Sequence, residues 1–261
     1  MRNISFDIMK GIGIVAVIIG HSSIPVSLRN FIFTWHMPMF FMISGYFYRP
    51  NSVVVSLKKN FKSLIIPYLF TAVFLSLLTF VAPLIGNKEP YSLNLFINQV
   101  YAIIYGAGSA MLPNGGNYFV GAIWFLLALF WCRFAFNIIY TRVNDYYIII
   151  TLLVSILSTF TAQYVFIPSN VLQGFSAMLF FLLGYIAKER KILFKNVNIF
   201  IVYSIILVLI LYSSFQGPIG MVTCYYPCFI INIVASVGAG YLIYKISSSI
   251  SDTKWGGIYH I

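Results

Sequence analysis

The sequence predicts an all-α fold: a polytopic transmembrane helical bundle of about eight to nine spans plus one re-entrant or interfacial segment. Three observations predict it. Hydrophobic residues make up 61% of the 261 and charged residues 8%, where a soluble domain carries roughly 25% charged; mean hydropathy is +0.92. Apolar runs of about 20 residues recur along the whole chain, each long enough to cross the hydrocarbon as a helix. The strand-length alternation of apolar and polar residues that marks an outer-membrane barrel does not occur.

Eight spans are read at 4–24, 29–48, 64–85, 118–140, 146–166, 171–187, 197–214 and 222–244, within a single membrane domain over 1–261. The first is not a cleavable signal, because Asp7 and Lys10 interrupt it and no small-residue cleavage site follows. The second, "FIFTWHMPMFFMISGYFY", carries Pro38, which lacks a backbone donor and is expected to bend the helix. The third follows a basic connection, "YRPNSVVVSLKKNFK". The fourth contains "AIWFLLALFW", which by composition alone is a structural helix facing lipid or core. The last four are separated by "IPSN", "KERKILFKN" and "QGPIG".

Segment 91–112 is long enough to cross but holds Asn94, Asn98, Gln99 and "GAG". Charge decides. With the N-terminus inside and this segment not crossing, twelve of the sixteen basic residues fall on the cytoplasmic side. Only Arg29 and Lys88 fall outside, and Lys10 and Arg133 lie within spans. A crossing would move "KERKILFK" outside and destroy that asymmetry. The segment is therefore read as re-entrant or interfacial, a candidate wall of a site, since such backbone is tolerated only against protein or a water-filled cavity. The net charge of +11 is explained by the same basic loops, which are too scattered for nucleic acid. Cys132, Cys224 and Cys228 lie in apolar segments without zinc spacing and are read as packing residues.

Polar groups inside spans carry the chemistry. Asp7, Lys10 and His21 share one face of the first span. Lys10 and His21 differ by about 20° of rotation and roughly 16 Å of rise, and Asp7 lies within about 40° of His21. Ionisable groups at that depth normally face the bundle interior. Asp7 and Lys10 also suit a structural ion pair, which leaves His21 unexplained. His36 sits near the outer end of the second span, so two imidazoles on adjacent spans lie in the outer half. Imidazole suits proton transfer near neutral pH. No metal site is expected: His21, His36 and His260 are the only histidines and carboxylates are few. Arg49, Lys58, Lys59 and Lys62 crowd the second connection, as topology signal or as a docking patch for a phosphate-bearing cytosolic ligand.

"FDIMKGIGIVAVIIGHS", "FIFTWHMPMFFMISGYFY", "KKNFKSLIIPYLF", "AIWFLLALFW" and "MLFFLLGYIAK", in this order, resemble the membrane acyltransferase 3 family, integral-membrane enzymes that O-acylate bacterial surface glycans. Lys10 and His21 match its spacing of a basic residue, ten others and a histidine, with lysine where many relatives use arginine. The resemblance implies an acyl-CoA donor, usually acetyl-CoA, with no permanently bound cofactor, and a glycan hydroxyl as acceptor. It implies His21 as catalytic residue, with His36, Pro38, Ser44 and Gly45 in a second motif. His36 is expected as partner of His21, Asp7, Lys10, Ser44 and Trp124 as substrate-binding, and Arg49, Lys58, Lys59 and Lys62 as holding coenzyme A phosphates. The expected setting is the bacterial cytoplasmic membrane, N-terminus inside, with membrane lipids around the bundle. Relatives usually continue with one or more further helices, so a shortened gene product, a frameshifted copy or a divergent member is expected. A glycan or lipid transporter or flippase, and an inactive truncated family member, are the competing readings.

Overall fold

The computed structural model describes residues 3–85, 92–108, 118–194, 199–217 and 219–252. Along them run α1 (Ile4–Gly20), α2 (Val26–Phe33), α3 (His36–Tyr46), α4 (Val53–Asn60), α5 (Ile66–Ile85), α6 (Leu93–Tyr105), α7 (Trp124–Arg142), α8 (Tyr147–Thr161), α9 (Val171–Ser176), α10 (Met178–Glu189), α11 (Ile199–Gln216) and α12 (Phe229–Asp252). The described residues contain no β-strand, only an isolated bridge between Gly220 and Tyr225.

The expectation of eight to nine spans is not matched by helices of full length. Among the described residues four are long and apolar enough to cross a membrane: Val53–Val81, Gly121–Arg142, Asn144–Thr161 and Phe229–Ser251. A fifth is reached if Pro168–Ser176 and Met178–Glu189 form one span. The expected first span yields a helix of 17 residues, and the second is divided between α2 and α3. Span 64–85 begins earlier than expected, because α4 runs through a π-helical turn, Phe61–Ile65, into α5. Pro67 explains that turn: it cannot donate to the carbonyl four residues earlier, and the ladder widens there. Among the described residues of segment 91–112, those from 92 to 108, the helix is the 13-residue α6, about 20 Å long and too short for a ~30 Å core. Ser92 caps its start, its side chain accepting from the Leu95 amide, and Gly106 in the left-handed region ends it.

The chain separates into two compact units: residues 1–48, 179–221 and 225–261 form the first, and residues 49–178 with 222–224 the second. In the first, α1 buries Phe6, Met9, Gly13, Ala16 and Gly20, spaced by three and four residues, so one stripe faces α3 and α12. Phe6, Met9 and Ala16 share a core with Met39, Ile43, Ala235, Ala239 and Tyr244. α3 and α10 approach backbone to backbone. A Cβ on Gly45 would strike the Phe181 carbonyl, and one on Gly184 would strike the Met42 carbonyl. Small residues permit such contact between membrane helices, where van der Waals packing is a main source of attraction.

In the second unit, α8 and α9 are joined by buried hydroxyls. Ser155 Oγ donates to the Ser176 carbonyl, and Thr159 Oγ1 lies 2.7 Å from Ser176 Oγ. The Tyr68 hydroxyl on α5 donates to the Ile103 carbonyl of α6 at 2.6 Å. As far as Val81, α5 exposes many large apolar side chains, including Phe70 and Leu77, as a helix facing lipid must, while Ala72 is buried.

Candidate functional site

Both candidate histidines belong to the first unit and sit at helix ends. α1 stops where His21 and Ser22 turn back on its last turn. The His21 amide donates to the Val17 carbonyl at 3.1 Å, and Ser22 Oγ donates to the Ile19 carbonyl at 2.6 Å. His21 Nδ1 lies 2.9 Å from the same Val17 oxygen. His36, the first residue of α3, repeats the arrangement with Nδ1 2.9 Å from the Ile32 carbonyl. A carbonyl only accepts, so each Nδ1 carries the hydrogen and donates it. In the neutral ring Nε2 then holds the lone pair, and in neither histidine does Nε2 have a hydrogen-bond partner among the described residues. The Phe33 ring packs against both imidazoles, with centroids 5.5 Å from His21 and 5.0 Å from His36. His21 is exposed, whereas His36 is 3% exposed. The two rings thus share one aromatic neighbour and the same Nδ1 hydrogen bond, with opposite access.

Pro38 does not bend a continuous span at its own position, as expected from sequence. The break lies earlier, at Thr34 and Trp35, and Pro38 occupies the first turn of α3, where a helix needs no amide from it. The missing donor is felt at the Thr34 carbonyl, four residues back. Ser236 on α12 supplies a replacement: its Oγ lies 2.6 Å from that oxygen and 2.7 Å from its own Asn232 carbonyl. Asn232 extends the buried network, donating through Nδ2 to Ser213 Oγ at 2.7 Å. Ser236, Asn232 and Phe33 are the site-shaping residues that sequence reasoning missed. The available signal was a serine and an asparagine four residues apart in an otherwise apolar span.

The arrangement makes a prediction. Ser236→Ala should destabilise the protein by about 1–3 kcal/mol, since it leaves a buried carbonyl without its donor. Pro38→Ala restores an amide opposite Thr34, so the double substitution should cost about 1 kcal/mol less than the sum of the single ones. Unfolding midpoints in detergent for the four proteins check this. Strict additivity would show that Ser236 does not serve the carbonyl freed by Pro38.

The other expected site residues fall elsewhere. Asp7 and Lys10 form an ion pair at 3.4 Å, and Lys10 Nζ sits 5.4 Å from the Phe47 ring centroid. Lys10 lies about 16 Å along α1 from His21, so the pair is not brought to the imidazoles. Ser44 is buried eight residues beyond His36, about 12 Å further along α3. Trp124 begins α7 in the second unit, where it is buried. Arg49, Lys58, Lys59 and Lys62 are exposed in that same unit. They do not share a loop as expected: Lys58 and Lys59 lie in the last turn of α4 and Lys62 in the π-helical turn.

Of the cysteines, Cys132 and Cys224 are buried and Cys228 half-buried. Burial pushes the Cys224 thiol up to about 12, against a smaller opposing effect of its hydrogen bond with Ser176. It is protonated near neutrality and does not serve as a nucleophile there. No group of three or more His, Cys, Asp or Glu converges among the described residues, and His260 lies outside them.

A family model for an acyltransferase domain, that of the acyltransferase 3 family, matches residues 3–256, nearly the whole chain. No curated protein and no solved structure matches it.

Proposed function

The chain belongs to the acyltransferase 3 family, and from that premise we propose an integral-membrane O-acyltransferase that moves an acyl group, acetyl in the simplest case, from acyl-CoA to a hydroxyl of a surface or exported glycan. A hydroxyl is a poor nucleophile near pH 7, so its attack on the thioester needs a base within hydrogen-bond reach. His21 is that base. Its Nε2 takes the hydroxyl proton as the oxygen bonds to the thioester carbon. The carbon–sulfur bond then breaks, and the proton passes to the leaving thiolate, giving ester and free coenzyme A. The observation that carries this reading is the Nδ1–H bond to the Val17 carbonyl, which leaves Nε2 as acceptor on an exposed ring. Buried His36, which packs against the same Phe33 ring, orients the acceptor. Lys58, Lys59 and Lys62, with Arg49, hold the phosphates of the donor, for which clustered cations are suited. In this reading the protein sits in the bacterial cytoplasmic membrane with its N-terminus inside, where its basic connections belong.

Membranes containing the protein, incubated with labelled acetyl-CoA and the host glycan fraction, test the proposal. Base-labile label in the glycan, absent from membranes lacking the protein, is the expected result. Glycan that crosses the bilayer without acquiring label would favour the transporter reading instead.

A further inference from the structure

Within the first unit, the start of α1, the C-terminal parts of α3 and α10, the start of α11 and the first two-thirds of α12 enclose an open cavity of about 590 Å³. That volume lies inside the roughly 300–1,000 Å³ range of small-molecule sites. Among the described residues its lining is apolar apart from the hydroxyls of Tyr46, Tyr241 and Tyr244, all towards one end. Along α12 the lining runs from Ile233 to Tyr244, about 17 Å of helix. That is roughly half of a ~30 Å hydrocarbon core, the depth of one leaflet.

The tyrosine end is also cationic. Lys245 Nζ lies 5.5 Å from the Tyr241 ring centroid. Lys10 Nζ lies over Phe47, whose ring packs edge-on against Phe6 with centroids 4.8 Å apart. Asp7 partly neutralises Lys10, but Lys245 has no carboxylate partner among the described residues. The site therefore has apolar depth and a positive rim.

We propose that this cavity holds one acyl chain of an anionic phospholipid from the adjoining leaflet, with the phosphate beside Lys245. Water would find too few polar partners inside. A pantetheine arm would bring two amides into a wall with little to pair them, at a cost that an alkyl chain avoids. A zwitterionic headgroup would place its own cation near two ammonium groups, whereas an anionic one gains from both. The inference does not depend on the histidines or on the transfer reaction.

The test uses the full chain in phosphatidylcholine nanodiscs doped with phosphatidylglycerol that carries a diazirine in one acyl chain. After irradiation, peptides from α12 should carry the label, and unlabelled phosphatidylglycerol should displace it at least tenfold better than added phosphatidylcholine. Val237→Trp and Ile233→Trp, which fill the cavity at two depths, should each lower α12 labelling at least tenfold relative to α5, whose exposed surface serves as internal reference. Lys245→Gln should reduce the preference for phosphatidylglycerol at least threefold. Equal competition by both lipids, α12 labelling unchanged by the two tryptophans, or displacement by acetyl-CoA would each overturn the proposal. If both tryptophan variants fail to fold, the competition on the wild-type protein decides alone.

Discussion

His21→Ala is expected to lower acyl transfer by about 10²–10⁴-fold, the usual contribution of a positioned general base, while leaving the amount of protein in the membrane unchanged. The second half of that expectation follows from geometry. The imidazole is exposed, and its one hydrogen bond goes to a carbonyl that also accepts the residue's own amide. Alanine keeps that amide, so no backbone group is orphaned and no buried volume is lost. His36→Ala differs in kind. It removes a ring that is 3% exposed and packs against Phe33, so it should reduce stability as well as transfer. Label transferred per unit of membrane-inserted protein separates the two effects. An His21→Ala protein that keeps most of its activity would remove His21 from the chemistry.

Gly45→Val and Gly184→Val are expected to have the largest structural effects, each destabilising the protein by at least about 3 kcal/mol. Both added side chains would meet backbone: the Phe181 carbonyl in one case and the Met42 carbonyl in the other. A side chain in the way can change rotamer, but a helix backbone can only move away, and α3 and α10 would have to part along their contact. Gly11 provides the contrast on α1, because a Cβ there meets nothing within 4 Å. Gly11→Ala should be neutral or stabilising by up to about 1 kcal/mol through helix propensity. Unfolding midpoints in detergent would rank the three. Wild-type stability in Gly45→Val would contradict the close approach of α3 to α10.

These two glycines show how far sequence reasoning reaches. Gly45 was legible as part of a motif, yet nothing local says which helix it faces. Its partner lies more than 130 residues away in the chain. The lysines of the second connection are a different case. Their clustering was legible, but the run from Arg49 to Lys62 reads as a loop because Pro50 and Asn51 open it. Val53 onward is nonetheless helical, continuous with the apolar helix that follows. The Asp7–Lys10 pair was one of two readings open from the sequence, and it forms because residues three apart on a helix are neighbours whatever packs around them.

Composition and local periodicity were sufficient for several features of this protein: an all-helical membrane chain, a shared face for Asp7 and Lys10, and histidines at the ends of two neighbouring apolar segments. Ordered motifs over most of its length were enough to indicate the family. These features depend on residues close together in sequence or on totals over the whole chain. The tertiary structure alone decided where the second apolar segment breaks, which imidazole is exposed, and what answers the donor missing at Pro38. The answer comes from Ser236, 202 residues from the Thr34 carbonyl it serves. A hydrogen bond at that separation exists only once the helices have packed, so no local pattern around Pro38 encodes it.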